Sequence, residues 1–237
     1  MAGDRILVAN EDTLHQKNYS SNKIMRTLKG RPGTALDLTM YRKSEDKVFQ
    51  LEMKRGKVPL PSLESYYLID QTTGYIKINR FSQTTYDEFD TVLNDLISKG
   101  MLKLILDLRD NPGGYLLPAK QISNALLEKD QTIVVTQSNI GEKEKSKAEG
   151  NGIFQEGELI VLVNEQSASA SEIVAGAIQD NDRGWIIGRR TFGKGLVQQQ
   201  MPLGGGDAVR LTIAKYFTPT GRSIQKPYSG DREAYYE

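Results

Sequence analysis

The sequence predicts a mixed α/β (α+β) protein: a larger domain of alternating strands and helices, preceded by a small β-rich module. Three observations carry this. From Gly74 onward, apolar runs of strand length take turns with segments whose apolar residues recur at helical spacing. Before residue 58 the apolar positions mostly alternate, as in half-buried strands. Between the two lies Val58-Pro-Leu-Pro, a stiff extended joint, because each proline fixes φ and biases its predecessor away from helix. The expected division is a module at 1–58, a linker at 59–73, the main domain at 74–228 and a polar tail at 229–237.

Each element has its own signal. In the module, Ile6-Leu-Val reads as a strand. Ser20 and Ser21 stand before Ile24, Met25 and Leu28 at helical spacing, and Gly30 closes that segment. Residues 34–41 and 48–53 alternate and read as strands. In the main domain, residues 74–79 form a strand. A capping box of Thr85 and Glu88 then opens a helix whose stripe is Tyr86, Phe89, Leu93, Leu96 and Ile97, ending at Gly100. Residues 102–108 (LKLILDL) are almost continuously apolar, as in a sheet covered on both faces. After the tight turn RDNPGG comes a helix bearing Ala119, Ile122, Ala125 and Leu126, and then a strand at 132–136. Residues 141–152 (GEKEKSKAEGNG) read as a solvated, mobile loop. Strands at 159–163 and 185–187 flank an Ala/Gly-rich helix. A turn at 203–207 joins strand 196–202 to strand 207–217.

Composition excludes several function classes. The chain has 237 residues, 38% hydrophobic and 26% charged, which fits a soluble globular protein. A net charge of +1 gives no electrostatic footprint for nucleic acid. No apolar run approaches the roughly 18 residues that span a bilayer, and MAGDRILVANED lacks a signal-peptide pattern. There is no cysteine, hence no thiol nucleophile and no thiolate metal site. His15 is the only histidine and lies in a polar turn, so neither a Ser-His-Asp triad nor a His-based zinc site has its parts.

What remains is a serine cluster, a glycine turn and a lysine. In SASASE (167–172) a capped helix start accounts for one serine, but not for the alternating alanines. Small neighbours let a substrate backbone approach a hydroxyl, and a helix N-terminus favours developing negative charge. The Asn111-Pro-Gly-Gly turn reverses the chain where φ must be positive, and it also exposes N–H groups at the end of a buried strand. GRRTFGKG (188–195) matches the phosphate-cradling G-x-x-x-x-G-K pattern. However, Gly195 replaces the required Ser or Thr, and the next residues read as a strand rather than a helix, which leaves nucleotide binding a remote alternative. Lys194 can instead be a general base. A free amine titrates near 10.4, so that role calls for a depression of about 3 units, roughly 4 kcal/mol. Burial against Phe192 and Val197 is the expected source, with Gln198 placed to orient the amine. Ser169 and Lys194 then perform acyl transfer without histidine.

SASASEIVAG, GxxTFGKG with VQ, GYIKI and DLRDNPGG together resemble the C-terminal processing (tail-specific) serine peptidases, over nearly all of residues 60–228. GDRIL, the helix ending LKGRPGT and the following strand resemble the second half of a PDZ domain. The resemblance implies a crotonase/ClpP-like core preceded by an incomplete PDZ-like module, and cleavage of protein substrates near their C-termini. It makes Ser169 the nucleophile, Lys194 the base and Gln198 its partner. The oxyanion would be held by the N–H of Ala170 and one from the glycine turn, Gly114 in preference to Gly113. It implies no cofactor and no metal, and unfolded or C-terminally exposed protein or peptide substrates. It also implies an extracytoplasmic setting, periplasmic or membrane-associated, and leaves room for a homodimer or higher oligomer. Two departures stand out: Arg189 sits where an acidic residue is frequent, and the carboxylate-gripping first half of the PDZ module is missing. A peptide-binding scaffold without turnover is the competing expectation.

Overall fold

The computed structural model describes residues 3–56 and 61–227. Most of the joint expected at 58–61, and the tail expected at 229–237, lie outside the described residues. The chain divides into two compact units, 1–60 and 61–237.

In the first unit, β1 (Arg5–Ala9), β2 (Asp12–Thr13), β3 (Ala35–Arg42) and β4 (Lys47–Lys54) form an antiparallel sheet in the order β2-β1-β3-β4. The alternation of the sequence becomes a one-sided core: Ala9, Leu36 and Leu38 are buried, and Ile6, Leu14, Leu28 and Met40 pack on them. Helix α1 (Ser21–Leu28) starts where the Ser20 side chain accepts a hydrogen bond from Lys23 N–H. Arg55 receives its end. That guanidinium donates to the Leu28 and Thr27 carbonyls (2.8 and 3.2 Å) and to the Ala35 carbonyl (2.7 Å), tying the helix to β3.

In the second unit two sheets form. The first contains β5 (Leu63–Leu68), β6 (Thr73–Ile78), β7 (Lys103–Asp107), β10 (Glu158–Val163) and β11 (Trp185–Gly188), in the order β11-β10-β7-β6-β5. All neighbours are parallel except the β5–β6 pair. Crossover helices α2 (Thr85–Ser98), α3 (Leu116–Leu126) and α4 (Ala170–Asp180) supply the partners that parallel strands need. Register aligns Ile76, Leu106 and Val161 in one row, each fully buried. Phe89, Leu93 and Leu96 of α2, Ile122 and Leu126 of α3 and Val174 and Ile178 of α4 complete this core. At about 1.5–3 kcal/mol for each large side chain removed from water, these residues are what hold the layers together. The second sheet contains β8 (Thr132–Ser138), β9 (Lys143–Lys147), β12 (Leu196–Gly204) and β13 (Asp207–Phe217), antiparallel in the order β12-β13-β8-β9. Among the described residues no helix is long and apolar enough to cross a membrane.

Three expectations are corrected. The stretch 59–73 is not simply a linker, because β5 occupies its middle and pairs with β6 over Leu63–Leu68. The polar run 141–152 is not simply a loop, because Lys143–Lys147 forms strand β9 on β8. The Thr85–Glu88 capping box is not made. Thr84 is the N-cap residue, and Glu88 accepts instead from Thr84 Oγ1 (2.7 Å) and from Ser62 N–H (2.7 Å), so it staples the segment before β5 to the start of α2.

Candidate active site

Parallel strands gather loops at their carboxyl ends, and the site is built there, after β7 and β10. The two loops are laced together. Ser167 Oγ donates to the Leu108 carbonyl (2.7 Å), Ser171 Oγ to the Asn111 carbonyl (3.0 Å), and Ala168 N–H to the same Asn111 carbonyl (3.0 Å). Asn164 and Asp110 exchange a reciprocal pair: Asp110 N–H to Asn164 Oδ1 (2.9 Å) and Asn164 Nδ2 to Asp110 Oδ1 (2.8 Å).

This lacing separates the three serines of SASAS. Ser167 and Ser171 are fully buried and committed to carbonyls of the other loop. Ser169 is partly exposed, between buried Ala168 and Ala170, and it opens α4 as its N-cap residue. Its φ of 56° and ψ of −110° are unusual for a residue with a Cβ. A strained strand-to-helix turn of this kind presents a hydroxyl at the top of a sheet.

The glycine turn lies against it. Asn111 is buried; its Nδ2 donates to the Ile78 carbonyl (2.8 Å) and its Oδ1 accepts from Gly113 N–H (2.9 Å). A Cβ on Gly113 would stand 2.5 Å from the Ala168 oxygen, 2.8 Å from Ser169 Cβ and 2.9 Å from Ala170 N, so only glycine lets the turn come this close. Because Gly113 N–H is occupied by Asn111 Oδ1, the donors left without a partner are others. Gly114 N–H and Ala170 N–H take no hydrogen-bond partner among the described residues, Ala170 because it begins the helix.

Beneath the turn, Asp107 is buried and accepts from Arg109 N–H (2.9 Å), Arg109 Nη2 (2.6 Å) and Tyr75 OH (2.6 Å). Burial pushes the Asp107 carboxyl up, but the hydrogen bonds from Arg109 and Tyr75 outweigh it and the net shift is downward. Burial, with the adjacent Asp107 carboxylate, pushes the Tyr75 phenol up to about 12. DLRDNPGG thus contains its own support for the turn.

Lys194 sits in the loop between β11 and β12, pinned by Phe192 N–H to the Ser167 carbonyl (3.0 Å) and by Glu172. The buried Glu172 carboxylate accepts from Ser169 N–H (2.8 Å), Lys194 N–H (2.8 Å), Gly193 N–H (2.7 Å) and Thr191 Oγ1 (2.8 Å). It joins the serine's backbone to the lysine's. The Ser-x-x-Glu spacing announces a helix cap; that the same carboxylate also holds the loop at Thr191, Gly193 and Lys194 has no local signal. The loop opens strand β12 and not a helix, which removes the phosphate-loop context. Arg189 points to the surface, where it pairs with Glu165 (2.6 and 3.0 Å).

One groove of ≈ 760 Å³ is lined by Ser169, Lys194, Gln198, Gly113 and Gly114, together with Gln200, Arg210 and Tyr216. The expected burial of Lys194 is not found. Lys194 is exposed and Phe192 is 40% exposed, although Gly193 and Gly195 on either side of the lysine are buried. Gln198 is exposed on β12, directly after a bulge in the β12–β13 register. His15 lies in the other unit, its Nδ1 3.1 Å from the Leu7 carbonyl oxygen. Among the described residues, no three or more His, Cys, Asp or Glu are grouped to hold a metal ion.

Residues 72–231 match peptidase family S41. The chain is 35% identical over 229 residues to a carboxy-terminal-processing protease of Bartonella bacilliformis, covering 95% of this chain and 52% of that protein. It is 36% identical over 229 residues to a carboxyl-terminal-processing protease of a Picosynechococcus species, covering 95% and 54%. The chain spans about half the length of these curated relatives. Among solved structures it is similar to a photosystem II D1 C-terminal processing protease, with a TM-score of 0.63 and 28% identity over 94% of this chain and 61% of that one.

Proposed function

Since the chain belongs to peptidase family S41, we propose that it is a serine endopeptidase that cuts protein or peptide substrates near their C-termini through a Ser169–Lys194 pair. The carrying observation is that the one serine of SASAS that is not buried, held at positive φ, shares a groove with Lys194 and the glycine turn. In this reading Ser169 Oγ attacks the scissile carbonyl while Lys194 Nζ takes its proton. The oxyanion forms against the unpartnered Ala170 and Gly114 N–H groups. Collapse of the tetrahedral intermediate expels the amine, which receives the proton from Lys194, and water then releases the acyl group from Ser169. Gln198 orients the amine. A peptide strand in the groove supplies the cover that the walls alone do not, so Lys194 meets the scissile bond away from bulk water.

Likeness to the family supports an extracytoplasmic setting and reading the first unit as a partial PDZ-like module. The test is incubation with an unstructured protein substrate beside variants. Ser169→Ala and Lys194→Ala should each lower turnover by at least about 10³-fold, and Ser169→Ala should still bind peptide. Substantial turnover by either variant would sink the assignment. A second reading, peptide binding without turnover, draws on the exposure of Lys194; it predicts affinity without cleavage and indifference to Lys194→Ala.

A further inference from the structure

Arg210 lines the groove with Ser169, Lys194 and Gln198, yet the acyl-transfer steps leave it unused. It lies on β13 opposite Gln200 of β12, and Gln198 pairs with Thr212 on the same hairpin. Arg210 therefore stands two residues beyond Gln198, on the order of 7 Å along the strands. Its guanidinium has no hydrogen-bond or ion-pair partner among the described residues. Arg109, Arg189 and Arg222 of the same unit each hold a carboxylate, and of the arginines left without one, Arg210 is the one that lines this groove. Arg210 is exposed, and the groove's lining includes Lys194 and Arg210 as its charged residues and neither Asp nor Glu, so the cleft it borders carries positive charge only. A planar guanidinium in such a place suits bidentate pairing with a carboxylate.

We propose that Arg210 makes this groove a carboxylate-binding site, receiving a carboxylate of the bound peptide within a few residues of the scissile bond. The carboxylate is either the α-carboxylate of the chain end or an Asp or Glu side chain near it. This rests on the peptidase reading and adds to it a residue that selects substrates. If the α-carboxylate is the ligand, the span from Ser169 to Arg210 sets how long a tail is removed.

The test uses one unstructured peptide in three forms: a free C-terminal acid, its C-terminal amide, and the amide with a Glu placed three residues from the end. The whole chain and its R210Q and R210K variants are compared by kcat/KM, and thermal melts check that each variant is folded. The wild type should cut at least one carboxylate-bearing form about tenfold or more efficiently than the neutral amide. In R210Q that preference should shrink to within about twofold, with R210K between, because an ammonium offers a point charge rather than a fork. Preference for the free acid identifies the α-carboxylate, and preference for the Glu-bearing amide identifies a side chain. Equal treatment of all three forms by the wild type overturns the inference, as does a preference that survives in R210Q. Should the wild type cut none of them, binding of the same fluorescent peptides decides. An Arg210-dependent preference for carboxylate then keeps the site and discards the peptidase reading, while no preference discards the site.

Discussion

Single residues decide this site through what they are already bonded to. Ser167 and Ser171 have their hydroxyls committed to carbonyls across the two loops, and Ser169 is the serine left in the groove. The sequence places three hydroxyls in five positions, and the resemblance picks the middle one; its φ of 56° gives the physical reason. Glu172 shows where local reading stops. Its two oxygens take three backbone N–H groups and a hydroxyl, so a neutral amide in its place would offer one acceptor and turn two hydrogens toward donors. Glu172→Gln should therefore let the lysine loop shift relative to Ser169. We expect kcat to fall by roughly 10²-fold, as misplacement of a reacting group by about 1 Å can cost, with KM little changed and stability lower by about 1.5–3 kcal/mol. Steady-state kinetics beside a denaturant melt would check this. An unchanged kcat in a folded variant would leave Glu172 a helix cap and nothing more.

At the scale of elements, the turn after β7 and the turn after β10 act as one object because glycine allows them to touch. Gly113→Ala would place a methyl against the Ala168 oxygen and Ser169 Cβ, and the cheapest relief is to move the turn away from the helix start. That separates Gly114 N–H from Ala170 N–H, the two donors assigned to the oxyanion. Loss of one such donor costs about 10²–10³ in kcat, and peptide affinity measured on the Ser169→Ala background should hold. A variant with a normal kcat would remove the turn from the chemistry. The NPGG turn and every strand with an apolar row were legible in the sequence, because burial writes its period there. The elements missed have a common reason. Strand β9 (KEKSK) is the edge of its sheet and joins it through backbone bonds, with almost no apolar side to announce it. Strand β5 is likewise an edge, with no fully buried residue: its positions are half-buried or exposed. The exposure of Lys194 could not be read from its apolar neighbours, since Phe192 and Val197 flank it in sequence without covering it.

For the whole molecule, the two units differ most in how much they bury. The second unit has one continuous core running from Ile76 to Tyr216, whereas the first rests on Ala9, Leu36 and Leu38 with a rim of half-buried neighbours. Helix α1 has no fully buried residue, so its attachment depends on polar ties more than on packing. Arg55 makes several of those ties at once: it satisfies carbonyls at the end of α1 and the start of β3, and it donates to Thr34 Oγ1 (3.1 Å). Removing it leaves helix-end carbonyls without their donor in a unit with little else to spare. Calorimetry should then resolve a weaker transition for the first unit, and Arg55→Ala should lower it by roughly 5–10 °C, the equivalent of about 1–2 kcal/mol in a domain of this size. The transition of the second unit should stay where it is, because none of its core residues takes part. A single transition that moves as a whole would mean that the small core does not melt on its own, and that Arg55 stabilises more than the unit containing it.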